Sequence, residues 1–193
     1  MRDSCPVALD FAAAGVLPSS HGLTYVSDTG TPEASVFSVS GGLLHMNTLG
    51  TGAVAYYQTS FDPTRAFVLA FRMKVFPGTG SFGVDFDVED PVTQRDFEFG
   101  FEPHGITLPP SPNRDFLAVD TASRFRTYVV AVPAGSTLWR LFIDGRFAAS
   151  GRVSGGDFSG VPRFLFGDGA SAWDGRMDVD FVVFCQPREE ADD

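Results

Sequence analysis

Three acidic residues at alternate positions, Asp85, Asp87 and Glu89, are followed by a second acidic series, Asp96, Glu98 and Glu102. In an extended strand every second side chain points to the same side, so the carboxyls gather into one patch where the two segments lie side by side. Two carboxylates about 5 Å apart repel by roughly 3 kcal/mol at an effective dielectric near 20. That is enough to keep one carboxyl protonated as a general acid while its neighbour remains a base. Asp85, Asp87 and Glu98 are therefore the candidate catalytic residues, with Asp87 and Glu98 the pair to test first as acid and nucleophile of a retaining hydrolysis. Arg72 and Lys74 in the preceding segment have the parity to share that face. A solvated, salt-bridged surface is thus the competing reading of the same residues.

A second set of residues suits ligand binding. A pyranose has an apolar face and a polar rim, and an aromatic ring with hydrogen-bonding neighbours matches both. Tyr57, Tyr128, Phe142 and Trp173 are the candidate platforms, with Arg72 and Arg140 as polar partners. Leu141 and Ile143 alternate with Phe142, so Phe142 and Arg140 face away from the core while Trp139 enters it. Tyr56 and Tyr57 are adjacent and point to opposite faces, which leaves one of them accessible. Asp168 and Asp174, with Asp178 and Asp180 nearby in a glycine-punctuated stretch, offer the hard oxygens of a structural calcium site; capping of turns by the same carboxyls is the alternative. No other cofactor is expected. His21, His45 and His104 are scattered without partners at a ligand spacing. No Ser-His-Asp order, phosphate loop or dinucleotide fingerprint is visible.

These side chains have to be positioned by strands. Phe67, Leu69, Phe71, Met73 and Val75 form one alternating apolar set, Phe82, Val84, Phe86 and Val88 a second, and Phe97, Phe99 and Phe101 a third. The turn signals between them, Pro77 to Gly80 and Asp90 to Gln94, predict an antiparallel meander with one apolar face. Further strands are expected near 34–40, 42–48, 53–59, 115–119, 124–132, 137–143, 146–153, 162–166 and 176–185. A short turn of helix is expected after Asp10. Many short strands without a fixed repeat predict an all-β, two-sheet antiparallel sandwich.

Composition agrees with that architecture and narrows the partners. The 193 residues carry 24 acidic and 14 basic side chains, a formal charge of −10, which disfavours nucleic acid and anionic membrane surfaces. Twenty-one glycines and thirteen prolines interrupt long helices, and 20 phenylalanines can fill an intersheet layer. A single domain over 1–187 with an acidic tail over 188–193 is expected. The N-terminal residues lack a secretory pattern, so a cytoplasmic location is expected, or a secreted one if a signal has been removed. The sequence leaves the oligomeric state open.

The stretch from Trp139 to Gly145 (Trp-Arg-Leu-Phe-Ile-Asp-Gly), the later Phe166-Gly167-Asp168-Gly169 loop and the final apolar strand from Asp178 to Phe184 together resemble the concanavalin A-like lectin/glucanase superfamily, particularly its laminin-G-like members. The resemblance implies a jelly-roll sandwich with one concave sheet and with the first and last strands adjacent, which would bring Cys5 near Cys185. A bridge there would contribute about 5 kcal/mol in the loop-entropy model; in a reducing cytoplasm the pair would stay as thiols. The superfamily contains lectins, glycoside hydrolases, lyases and adhesive domains, and fold alone does not choose among them. Its glucanase signature places Glu, Asp and Glu along one strand, with alternate spacing at its start. Asp85, Asp87 and Glu89 loosely match the spacing of its first half only, with Asp where the nucleophilic Glu would stand, so the hydrolase residues are not carried over. The resulting expectation is a lectin-like domain holding a saccharide or similar polyhydroxylated ligand on the concave sheet or rim loops. The alternative is an enzyme using paired carboxylates, either a glycoside hydrolase or lyase or a biosynthetic cyclase or isomerase.

Overall fold

Alternation of apolar and polar residues is realised as strand nearly everywhere. The computed structural model describes residues 4–109, 115–153, 160–169 and 173–187; the expected acidic tail over 188–193 lies outside the described residues. The strands are β1 (Ser4–Asp10), β2 (Thr24–Ser27), β3 (Phe37–Ser40), β4 (Leu43–Asn47), β5 (Ala55–Ser60), β6 (Phe67–Val75), β7 (Asp85–Asp90) and β8 (Arg95–Asp96), followed by β9 (Phe99–Glu102), β10 (Gly105–Thr107), β11 (Phe116–Ala118), β12 (Arg126–Val132), β13 (Leu138–Ile143), β14 (Arg146–Arg152), β15 (Arg163–Asp168) and β16 (Arg176–Gln186). Among the described residues helix is limited to single turns. One of them is α1 (Phe11–Ala14), which starts where Asp10 accepts the amides of Ala12 and Ala13. No helix among the described residues is long and apolar enough to cross a membrane.

Two eight-stranded antiparallel sheets form a sandwich. The first runs β14-β13-β12-β6-β16-β4-β3, with β1 also on β16; the second runs β11-β10-β9-β7-β15-β5-β2, with β8 on β7. Rings meet across the gap. Phe164 stacks on Phe184 at 4.8 Å, and Phe37 packs on Tyr57 at 4.6 Å. β1 and β16 are covalently joined by the Cys5–Cys185 disulfide.

One sequence-based expectation fails here. β6 and β7 are not neighbours in a meander: β6 pairs with β12 and β16 in the first sheet, whereas β7 pairs with β9 and β15 in the second. Alternation reports that one side of a strand is buried, and it is equally satisfied when two successive strands face each other across the core. Phe82 is also not part of the strand. Its ring lies over Gly100, where an added Cβ would come within 2.7 Å of it, on the side of the sheet opposite the buried Phe99 and Phe101.

Candidate functional site

β7 carries the acidic row. Phe86 and Val88 point into the core, so Asp85, Asp87 and Glu89 emerge together on the outer face of the second sheet. The flanking register completes the patch. Asp96 pairs opposite Glu89 and Gly100 opposite Asp85, which sets Glu98 on the intervening outward position beside Asp87. On the other flank Gly167, Leu165 and Arg163 face Asp85, Asp87 and Glu89 in turn. Two of Asp85's cross-strand neighbours are thus glycines, and the ring of Phe82 lies over one of them, Gly100.

Outward does not mean exposed for this row. Asp85 is 2 % and Asp87 6 % exposed. Oδ1 of each has no hydrogen-bond partner among the described residues. Burial pushes the Asp85 carboxyl well above the usual carboxylate range, and the charges of Glu98, Asp168 and Glu89 push it further. Burial likewise raises Asp87, reinforced by Asp96, Glu89, Glu98 and Asp85. The repulsion read from the sequence is therefore present, and desolvation is added to it. Glu89, by contrast, is engaged by Arg163 through Nε at 2.5 Å and Nη2 at 2.9 Å, and Arg163 also donates to Gln58. Arg163 is the cation that spacing along the chain did not reveal, because it reaches Glu89 only through the β7–β15 pairing.

The surroundings press closely on this row. An added Cβ on Gly169 would lie 2.2 Å from Oδ2 of Asp85, so the chain can press on that carboxyl only because the residue is glycine. At the same end the amide of Gly80 donates to the Asp174 carbonyl at 3.0 Å, and Trp173, 46 % exposed, lies against Gly80. At the Arg163 end a hollow of about 360 Å³ is lined by Thr24, Gln58, Ser60, Val161 and Arg163.

Other expected site residues fall elsewhere. Tyr57 and Tyr128 are fully buried core rings and present no platform; Tyr57 donates inward to Glu33 and Tyr128 stacks on Phe71. Their parity matches the inner faces of β5 and β12. Arg72 pairs with Asp180 on the outer face of the first sheet, so neither it nor Lys74 on the same strand neutralises the acidic row. Arg140 is exposed and Phe142 half-buried beside Phe147, on the β13–β14 hairpin of the first sheet. The two residues expected at a calcium site bond to groups of the protein. Asp168 is wholly buried and accepts from Thr48, while Asp174 accepts the amides of Gly50 at 2.5 Å and Gly52 at 3.1 Å. Among the described residues, no three His, Cys, Asp or Glu side chains are placed so that they could hold a metal ion together.

This architecture has known counterparts. A carbohydrate esterase from a Shiga toxin-encoding bacteriophage superposes with TM-score 0.68 at 10% identity, covering 97% of this chain and 100% of that one. The Bacillus licheniformis β-glucanase gives 0.61 at 11% identity, covering 94% and 99%. The chain has the concanavalin A-like fold. A third concanavalin A-like match is botulinum neurotoxin type C, at TM-score 0.57 and 10% identity, covering 96% of this chain and 49% of that one. No family model and no curated relative matches the sequence. Within this concanavalin A-like sandwich, Phe82 and Arg163 are the site-lining residues that sequence reading passed over. Phe82 was assigned inward by parity, although Gly83 interrupts the strand before Asp85.

Proposed function

We propose that the protein is a carbohydrate-active enzyme that binds a saccharide on the outer face of the second sheet and cleaves a glycosidic bond by acid–base chemistry. The observation that carries this reading is the pair of buried carboxyls, Asp85 and Asp87, inside a lattice of acidic side chains that, with burial, pushes both above the usual carboxylate range. A carboxyl shifted in that direction is suited to general-acid work. In this reading Asp87 delivers a proton to the leaving oxygen and Glu98 supplies the facing carboxylate. Trp173 at one end and the Gln58–Arg163 hollow at the other give the sugar a ring to stack on and donors to bond. The similar folds support the ligand class, since they include a carbohydrate esterase, a β-glucanase and a toxin whose cell entry depends on gangliosides.

The test is release of reducing ends from a panel of polysaccharides. Wild-type protein is expected to cleave at least one of them. Asp87→Asn is expected to lower turnover about 100-fold or more while the glycan is still retained on an affinity gel. Absence of both retention and cleavage across the panel would overturn the reading. Retention without cleavage would instead establish a lectin, the reading that the Asp at position 85 and the ion-paired Glu89 favour. We also infer from the Cys5–Cys185 bridge that the protein works in an oxidising compartment rather than in the cytoplasm.

A further inference from the structure

On the opposite side of the sandwich three residues far apart in the chain meet. His45 on β4 pairs across the ladder with Asp178 on β16, and Nδ1 of His45 lies 2.6 Å from Oδ1 of Asp178. The other ring nitrogen, Nε2, is 2.9 Å from Oγ of Ser40, at the end of the edge strand β3. Ser40 is exposed, and the imidazole and carboxylate are partly covered, with side-chain exposures of 33% and 16%. Beside His45 and Asp178 opens a hollow of about 310 Å³ lined also by Ser35, Ser38, Asn47 and Arg176.

We propose that Ser40, His45 and Asp178 form a serine-nucleophile acyl-transfer site, independent of the acidic row and acting on short-chain acyl esters of hydrophilic alcohols. The hydrogen bonds have the order such chemistry needs. The Asp178 carboxylate accepts from Nδ1–H, which fixes the tautomer with a bare Nε2 that accepts from the Ser40 hydroxyl. Ser40 Oγ attacks the ester carbonyl carbon as its proton passes to Nε2. The tetrahedral adduct then collapses, the carbon–oxygen bond to the alcohol breaks, and the alcohol departs with the proton held on Nε2. Water next attacks the acyl-serine, gives a proton to Nε2, and the acid is released as Ser40 recovers its hydrogen. Within each tetrahedral adduct, while the proton sits on the imidazolium, Nε2–H has a second acceptor, the Ser40 carbonyl at 3.1 Å.

The local fold supplies the rest. Ser40 pairs directly with Leu43, so Gly41 and Gly42 form a two-residue turn with φ of 57° and 79°, a left-handed pair natural to glycine. Their amides lie outside the ladder and follow the nucleophile immediately, the position from which backbone donors can stabilise an oxyanion. The hollow is open and mostly polar, which suits a small acyl group on a hydrophilic alcohol and offers no deep pocket for a long chain.

The experiment is reaction of the full chain with a fluorophosphonate probe, followed by peptide mass spectrometry, together with hydrolysis of p-nitrophenyl acetate. Phosphonylation is expected on Ser40, absent in Ser40→Ala and slowed about 100-fold or more in His45→Gln. Asp178 acts through the imidazole as a positioning residue. Asp178→Asn is therefore expected to lower kcat for the ester at least about tenfold with KM unchanged and circular dichroism as in wild type. Absence of labelling, labelling of Ser38 or another serine instead, or Ser40 labelling that survives His45→Gln would each overturn the proposal.

Discussion

Phe71 and Phe86 lie face to face, 3.7 Å between ring centroids and 5° between planes, although β6 and β7 belong to different sheets. Phe166 and Tyr128 extend the stack on either side, at 5.6 Å from Phe86 and 5.2 Å from Phe71. Both rings of the central pair are fully buried. Phe86→Ala therefore opens a ring-sized cavity on the inner side of the strand that bears Asp85 and Asp87. The expected cost is about 3–5 kcal/mol, read from the midpoint shift of denaturant unfolding.

A second stability determinant is ionic. Arg95 bonds Asp90 from Nη2 at 2.6 Å and Nε at 3.1 Å, and also donates to the carbonyls of Ser136 at 2.9 Å and Pro63 at 2.6 Å. Side-chain exposures of 6% and 1% place the pair inside the protein. Arg95→Met leaves Asp90 buried without its cation, and breaking such a pair costs about 3–5 kcal/mol. Thermal and denaturant melts are expected to show that loss.

The acidic row makes stability depend on pH in a definite direction. Below the ordinary Asp value of 3.8 both folded and unfolded chains hold the Asp87 proton, and the carboxyl costs nothing. As pH rises past that value the unfolded carboxyl ionises while the folded one, raised by burial and by the neighbouring acids, keeps its proton. Folding then becomes less favourable until the folded group also ionises. Asp87→Asn removes this penalty. The variant is expected to match wild type at acid pH and to exceed it by a margin that grows as pH rises above the ordinary Asp value, in melts run as a pH series.

The disulfide closes a loop with a sequence separation of 180 residues. Loop entropy predicts that Cys5→Ser with Cys185→Ser, or reduction of the wild type, lowers stability by about 5 kcal/mol at most. Matched melts with and without reductant measure it, and the double variant is expected to be insensitive to reductant.

Much of the architecture was written locally. The alternation in 67–75 and 176–186 named those strands and their buried sides, and Asp85, Asp87 and Glu89 were placed on one face by parity alone. That information is local because a side chain's direction along a strand has a period of two. The same parity identifies Tyr57 and Tyr128 as interior once their strands are oriented. Their hydroxyls had suggested binding, but a ring on the inner face is buried whatever its polar tip.

Strand partnership was decided only in three dimensions. Which strand lies beside which depends on contacts distant in sequence, and the entropy of closing a loop varies too slowly with its length to specify them. Hence Arg72 finds Asp180 rather than the acidic row, Arg163 finds Glu89, and Ser40, His45 and Asp178 meet without any spacing that announces them. Desolvation of Asp85 and Asp87 is tertiary for the same reason: the charges are in the sequence, but the water is excluded by chain that folds over them.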